Sequence, residues 1–362
     1  MSRQDIYYWK CDRPAAFHGT GSRSRAEEVP EEAVRAALVE HFRPKSLELS
    51  PGAGQGNHIT WNAEIDGEPA FLRIENGPEG DDHLEMESAV MAEVARAGVP
   101  VPRVLGCDAS RSRVPFAWQA LERIPHPDLN HWAKAGTLEA GPVARGIGRG
   151  VAKWQGVRTE GFGPYDLAAW RRGKALRGLH PRYADYYRLR LEAHLGFLEE
   201  RGFLDAATHA AITAAVEERA DLLERAEGCL VHKDLALWNV LGPPDRVAAF
   251  IDFDDAVAGD ATDDLSLLAC FHDAAFLHHA ITGYEEVRPL PEDWRPRFWL
   301  HLLRNLLVKA VIRVGAGYFE RDSGFFLIGA RSSGADLRRF TEQRLATALR
   351  GLREDAELSL LS

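Results

Sequence analysis

The 362-residue sequence predicts an α+β protein of two unequal parts, a small antiparallel sheet with a packed helix and a larger, mainly helical unit. Three observations carry that prediction. From Leu47, "LELSPGAGQGNHITWNAEIDGEPAFLRIEN" alternates apolar and polar residues around glycines at Gly52, Gly54 and Gly56 and a hairpin pair, Asp66-Gly67. After Pro125 and Pro127 the apolar spacing changes to a helical period and keeps it for most of the chain. A composition of 45% hydrophobic and 27% charged residues is ordinary for a folded chain long enough to bury two cores.

Taken in order, residues 1–28 form an N-terminal extension, polar apart from the aromatic knot Tyr7-Tyr8-Trp9. Residues 29–125 form the small lobe. It begins with a helix in "PEEAVRAALVEHF", whose first turn holds Pro30 and acidic residues. The meander follows, then an amphipathic helix "LEMESAVMAEVARAG" ending at Gly98, then the strands "RVLGCDA" and "PFAWQALERI". Residues 126–362 form the large lobe. Its helical stretches are "ARGIGRGVAKWQGV", "RYADYYRLRLEAHLGFLEERG", "AAITAAVEERADLLERA", "DDLSLLACFHDAAFLHHAITGY" and the aromatic-rich "WRPRFWLHLLRNLLVKAVIRVGAGYF". The junction of two such lobes makes a cleft, where small ligands usually bind.

A net charge of −10 argues against general nucleic-acid binding, which needs a basic surface to displace counterions. Cys11, Cys107, Cys229 and Cys270 lie far apart and signal neither a zinc site nor a disulfide framework. His272, His278, His279 and His301 fit helix faces better than a metal-ligand spacing. No apolar run approaches the ~18 residues of a membrane span, and the N-terminus lacks a signal-peptide pattern, so a cytoplasmic location and no membrane partner are expected.

The chemistry concentrates in "LVHKDLALWNVLGPPDRVAAFIDFDDA", Leu230 to Ala256, which sets a His, an Asn and several carboxylates beside two apolar runs. A carboxylate next to a core is destabilising without a cation or hydrogen-bond donors, so the arrangement predicts a site. His232, Asp234 and Asn239 are spaced H-x-D-x-x-x-x-N, and Asp252 follows the apolar "AAFI". Phosphoryl transfer needs an oriented acceptor and cations on the triphosphate, with little covalent work from the protein. Asp234 suits the acceptor hydroxyl and its proton. Asn239 and Asp252 offer the hard oxygen ligands that Mg²⁺ prefers, and His232 suits holding the loop.

These segments resemble the catalytic and metal-binding segments of the aminoglycoside phosphotransferase and choline kinase-like family, within the protein-kinase-like fold. The family pattern H-G-D-x-x-x-x-N followed by I-D reads here "HKDLALWN" and "IDFDD", and "GVPVPRVLG", "GFGP" and "GDATDDLSLL" match in order. The resemblance implies a two-lobed kinase using ATP (or GTP) and Mg²⁺, with nucleotide phosphates held by the Gly-rich turn at Gly54, Gly56 and Asn57. It implies a cation on the third strand paired with a helix carboxylate. The family's Lys is absent, since no lysine occurs between Lys45 and Lys134; Arg73 stands in its place, with Glu87 as partner and Glu85 and Glu93 as alternatives. The hinge Glu122-Arg123-Ile124 would offer adenine its backbone at Glu122 and Ile124. Asp264 would bond the catalytic-loop backbone. Lys233 replaces the usual Gly, and its charge either helps neutralise the transferring phosphoryl group or goes to solvent or a structural ion pair. Asp254 and Asp255 offer further metal or substrate contacts, and Arg304, Asn305 and Lys309 stand where the family lines its acceptor pocket.

The expected activity is transfer of a γ-phosphoryl group to a hydroxyl of a small molecule. The acidic cleft suits an amine-bearing acceptor such as an aminoglycoside-like antibiotic, an amino alcohol or an amino sugar. Homoserine-like and neutral sugar acceptors remain open, as do a nucleotide-binding pseudokinase scaffold and a metal-dependent phosphohydrolase using "DFDD".

Overall fold

The computed structural model describes residues 3–14, 29–52, 58–321 and 333–362. The N-terminal extension carries a short helix α1 (Trp9–Asp12), and the small lobe contains α2 (Glu31–Phe42) and strands β1 (Leu47–Pro51), β2 (Ile59–Ile65) and β3 (Glu68–Glu75). Helix α3 (Leu84–Arg96) follows, then β4 (Val104–Asp108) and β5 (Ala117–Glu122). The five strands form an antiparallel sheet in the order β1-β2-β3-β5-β4. At the expected hairpin Ile65 lies opposite Glu68, and Asp66 and Gly67 take φ of 52° and 86°, as a two-residue turn of this hand requires.

Period-two alternation divides β3 between two environments. Ala70, Leu72 and Ile74 pack with Val34, Ala37 and Leu38 of α2, whereas Arg73 and Glu75 project from the opposite face. Helix α3 covers that face with a buried stripe of Met86, Val90, Met91 and Val94. Glu87 falls within the stripe, so its carboxylate enters the interior and requires a cation.

The large lobe begins with α4 (Leu129–Ala135), α5 (Ala140–Trp154), β6 (Arg158–Thr159), β7 (Phe162–Tyr165), α6 (Leu167–Gly173), β8 (Gly178–His180), α7 (Tyr183–Arg188), α8 (Leu191–Glu200) and α9 (Ala206–Glu218). It continues with β9 (Gly228–Val231), β10 (Val240–Leu241), β11 (Ala249–Phe250), β12 (Val257–Gly259), α10 (Asp263–Leu268), α11 (Ala274–Glu285), α12 (Trp294–Gly315) and α13 (Gly334–Glu354). Its short strands pair in the order β6-β9-β12-β7-β8, a sheet that the sequence did not announce because strands of two to four residues show no alternation. The helix expected from Arg182 to Gly202 is instead α7 and α8, broken at Arg190, whose φ is 62°. The stretch from Asp263 breaks as well, where Asp273 accepts the Phe276 N–H at 3.0 Å and caps α11.

From Arg297 onward helix α12 is buried on nearly all sides, so the charged residues of that stretch must find partners inside. Arg297 donates to Asp260 at 2.7 Å and Arg313 to the Thr341 hydroxyl at 2.7 Å. Helices α5 and α11 meet backbone to backbone. A Cβ on Gly148 would lie 1.8 Å from the Ala280 carbonyl oxygen, and one on Gly283 would lie 2.0 Å from that of Arg145.

Residues 3–12 do not form the free polar tail that their composition suggests. Tyr7, Tyr8 and Cys11 belong to the main hydrophobic core, and Asp12 is buried against His194 at 2.7 Å. The segment lies along the cleft between the lobes, and its polar groups are satisfied by partners remote in sequence. Among the described residues no helix is long and apolar enough to cross a membrane.

Candidate active site

Strand β9 is buried along its whole length and delivers His232 at its end. Asp264, at the start of α10, then fixes the turn: its Oδ2 accepts from the His232 N–H at 3.0 Å and from the Trp154 indole at 2.9 Å, and its Oδ1 accepts from the Lys233 N–H at 3.1 Å. This is the backbone contact expected of Asp264. The His232 ring bonds the Ile251 carbonyl through Nε2 at 3.0 Å and accepts from the Asp234 N–H at 3.3 Å, so it joins the two loops and touches nothing in the cleft. A third tie, the Ile251 N–H to the Asn239 carbonyl at 3.0 Å, holds Asn239 and Asp252 in register.

Two residues in these loops are left-handed without being glycine, Lys233 at φ 68° and Asp252 at φ 66°. Such backbone costs about 1–3 kcal/mol per residue and persists where surroundings over-determine it. At position 233 it also explains the family's Gly, which adopts this conformation without strain.

The Asp234 carboxylate is the centre of the charge network. Oδ1 accepts from the Tyr8 hydroxyl at 2.7 Å and from the Lys309 ammonium at 2.9 Å, while Oδ2 is paired with Lys10 and accepts from the Asn239 amide at 3.1 Å. Burial alone would push this carboxyl up, but Lys10 and Lys309 outweigh it and hold it well below the usual carboxylate range. Asp255 follows the opposite balance. Burial, reinforced by Asp254 and Asp234 and only partly opposed by Lys10, pushes it up to about 7.

Across the cleft Arg73 is bonded to both oxygens of Glu87 and donates to Asp252 at 2.7 Å. Burial pushes Glu87 up to about 7 against the pull of Arg73. The expected strand-to-helix ion pair is therefore made by Arg73 and Glu87; Glu93 pairs with Arg96 and Glu85 with Arg171 instead.

The oxygen set suits Mg²⁺. Asn239 turns its amide nitrogen toward Asp234, which leaves its carbonyl oxygen for a cation. The Lys10 ammonium, itself a cation, lies 3.3 Å from Asp255 and 3.8 Å from Asp252 as well as against Asp234. Three carboxylates gathered about one positive charge, with the Asn239 amide beside them, match the oxygen preference of a hard divalent ion.

Residues 50–300 match the model of the phosphotransferase enzyme family. The chain belongs to that family. It is similar to hygromycin-B 4-O-kinase of Escherichia coli, 23% identical over 283 residues that cover 76% of this chain and 77% of the relative. Among solved structures, aminoglycoside phosphotransferase APH(4)-Ia in a ternary complex with AMP-PNP and hygromycin B superposes with a TM-score of 0.60 at 19% identity, covering 88% of this chain and 98% of that one. Macrolide 2'-phosphotransferase MphH of Brachybacterium faecium gives a TM-score of 0.54 at 18% identity, over 78% and 93% of the two chains. These likenesses show the two-lobed protein-kinase-like fold, and family membership makes the protein a phosphotransferase acting on hydroxyl groups.

Several expected site residues do other work in this phosphotransferase. The Lys233 ammonium is spent inside the large lobe, on Asp263 at 2.7 Å, the Tyr7 hydroxyl at 3.0 Å and Asn305 at 3.2 Å, so it is a structural ion pair and not a catalytic cation. Asn305 completes that network by donating to Asp263 and Ser266 at 2.8 and 3.1 Å. Arg304 donates to the carbonyls of Tyr187 and Leu189 and to His194, and stacks 3.6 Å from the Tyr7 ring centroid. Neither Arg304 nor Asn305 lines an acceptor pocket; only Lys309, a turn further along α12, reaches Asp234. At the hinge the Glu122 N–H donates to the Arg103 carbonyl at 2.8 Å and the Ile124 carbonyl accepts from the His126 N–H at 2.9 Å, so a base at Glu122 and Ile124 would use the Glu122 carbonyl and the Ile124 N–H. Asp254 is buried beside Arg3, whose guanidinium donates to its carbonyl at 3.0 Å. Gly54, Gly56 and Asn57 lie outside the described residues.

Sequence reasoning missed Arg3, Tyr8 and Lys10. They lie in a stretch without periodicity, more than 200 positions from Asp234 for Tyr8 and Lys10 (226 and 224), and no local signal marks such contacts.

Proposed function

We propose that this enzyme transfers the γ-phosphoryl group of ATP, with Mg²⁺, to a hydroxyl of an amine-bearing small molecule of the aminoglycoside or amino-sugar class. The observation that carries the reading is that Asp234 and Asp252 both lie against the Lys10 ammonium, with Asn239 bonded to Asp234 and Asp252 bonded to Arg73 of the Arg73–Glu87 pair. Asp234 orients the acceptor hydroxyl and takes its proton as the oxygen attacks phosphorus; the bond from phosphorus to the β-bridging oxygen breaks and ADP leaves. Asn239 and Asp252 hold the metal, which offsets charge on the triphosphate. Arg73, fixed by Glu87, turns from Asp252 to the phosphates. Lys309 keeps Asp234 ionised and adds positive charge near the transferred group. Hygromycin B, the molecule named for two of the relatives above, supports the aminoglycoside class of acceptor. Incubation with MgATP and a panel of aminoglycosides, amino sugars, amino alcohols and neutral sugars tests it. Acceptor-dependent ADP release with a phosphorylated amine-bearing product is expected; phosphate release without acceptor, or nucleotide binding without turnover, would replace the reading with hydrolase or pseudokinase.

A further inference from the structure

We infer that residues 3–12 are an intrasteric strap, a segment of the enzyme's own chain that occupies the acceptor and cation positions and must be displaced before each catalytic cycle can begin. The inference rests on the proposed roles of Asp234 and Asp252. Its structural content is independent of the substrate.

Asp234 is only 3% exposed, and two of the four side chains bonded to its carboxylate, Tyr8 and Lys10, come from the strap, beside Lys309 and Asn239. The Tyr8 hydroxyl donates to Asp234 Oδ1 at 2.7 Å, the contact that an acceptor hydroxyl must make with its base. The Lys10 ammonium lies among Asp234, Asp255 and Asp252, where the cation of a nucleotide complex would sit. A hydroxyl and a positive charge on one peptide thus imitate an amine-bearing acceptor and a metal together. Both positions cannot be shared, because two cations or two hydroxyls would meet within van der Waals distance.

The strap is fastened at both ends and to both lobes. Arg3 pairs with Asp81 of the small lobe at 2.6 Å and donates to the Asp254 carbonyl at 3.0 Å. At the other end Asp12 accepts from His194 of the large lobe at 2.7 Å and folds back on the N–H groups of Tyr7 and Tyr8 at 3.1 and 3.0 Å. Between them the Tyr7 carbonyl accepts from Tyr186 at 3.1 Å and the Tyr7 hydroxyl from Lys233 at 3.0 Å. Lys233, the departure from the family's Gly, thus serves as a receptor for the strap. The docked segment staples the lobes together over the base, and its release frees both the cleft and the lobe movement.

Cys11 provides a readout that does not depend on phosphoryl transfer, since its thiol is wholly buried at the inner end of the strap. Full-length enzyme is treated with N-ethylmaleimide, alone and with Mg²⁺ and AMP-PNP, and the Cys11 peptide is followed by mass spectrometry. Slow modification in the free enzyme and about tenfold faster modification with the nucleotide are expected, because a ligand that binds only the open state raises its population in proportion. The Lys10→Met variant should modify faster without nucleotide and show an apparent nucleotide Kd lower by about tenfold, the usual worth of one charge-assisted contact. Arg3→Ala, which touches no reacting group, should move both readings in the same direction. Enzyme that turns over its acceptor while Cys11 stays equally protected overturns the strap and leaves the kinase reading intact. Loss of acceptor turnover in Lys10→Met with unchanged nucleotide affinity overturns it also, since the segment would then be part of the acceptor site. Faster Cys11 modification with AMP-PNP in an enzyme that phosphorylates nothing upholds the strap and sinks the kinase reading.

Discussion

The Asp252 carboxylate accepts from the Arg73 guanidinium at 2.7 Å, an ion pair between the sheet of the small lobe and the loop after β11 of the large one. Arg73 reaches it with one arm while the other remains bonded to Glu87. A planar fork can hold two carboxylates in this way, and an ammonium on a shorter reach cannot hold both equally well.

Arg73→Lys should therefore keep the Glu87 pair and measurable activity. Arg73→Ala strands Glu87, which is fully buried, and removal of one partner from a buried pair costs about 3–5 kcal/mol. Thermal denaturation and acceptor turnover on both variants check this. Equal activity in wild type and both variants would mean that the phosphates are held elsewhere.

Asp234→Asn should bind MgATP, because Asn239 and Asp252 remain, while turnover falls by ~10² to 10⁴, the usual worth of general-base assistance. Nucleotide affinity and product formation are measured on the same preparation. A purely structural Asp234 predicts instead that both decline together with the melting temperature.

At position 233 glycine fits the left-handed backbone better than lysine, yet Lys233→Gly should destabilise the enzyme. It leaves the buried carboxylate of Asp263 without its cation, a loss of roughly 3–5 kcal/mol that exceeds the relief of backbone strain. Lys233→Gly with Asp263→Asn should recover most of it. Chemical denaturation of the two variants decides, and a glycine variant more stable than wild type would refute the argument.

The strap's lower anchor gives a pH signature. Burial alone would raise Asp12, but its bond to His194 and the Tyr8 N–H bring its pKa down to about 2, below the ordinary 3.8. A carboxyl depressed on folding stabilises the folded state above its unfolded pKa and loses that contribution as pH falls through the folded one. The difference corresponds to about 2 kcal/mol. The gap in stability between wild type and Asp12→Asn should be full at pH 5–6 and close progressively between about pH 4 and 2. A gap independent of pH across this range would show that Asp12 acts through packing alone.

Much of the small lobe and of the catalytic loops was legible in the sequence, because each rests on local pattern. Alternation marked β1 to β3, the Asp66-Gly67 turn fixed their register, and the spacing of His232, Asp234 and Asn239 carried its own chemistry. The Arg73–Glu87 pair was legible through the family resemblance, which expects a cation on the third strand paired with a carboxylate midway along the helix that follows. Direction around α12 was not legible: Arg304, Asn305 and Lys309 lie within two turns, and on a stretch of helix buried nearly all round only tertiary packing decides that the third faces the base. The strap was hidden for a stronger reason. Its residues are individually polar or aromatic without a period, and what buries them is a set of partners from Asp81 to Lys309 that no window of sequence contains.

The close approach of Gly148 to Ala280 and of Gly283 to Arg145 bears on how this enzyme can diverge. A first methyl group on either helix collides with main-chain oxygen, which no rotamer change can relieve. The two sites are therefore closed to drift by single steps, and descendants of this sequence would keep both glycines or move α5 and α11 apart by a compensated change at each. Because Trp154, at the end of α5, also bonds Asp264, such a shift would carry the catalytic turn with it. Variation is pushed outward, into surfaces that can alter the choice of acceptor without disturbing the floor beneath the base.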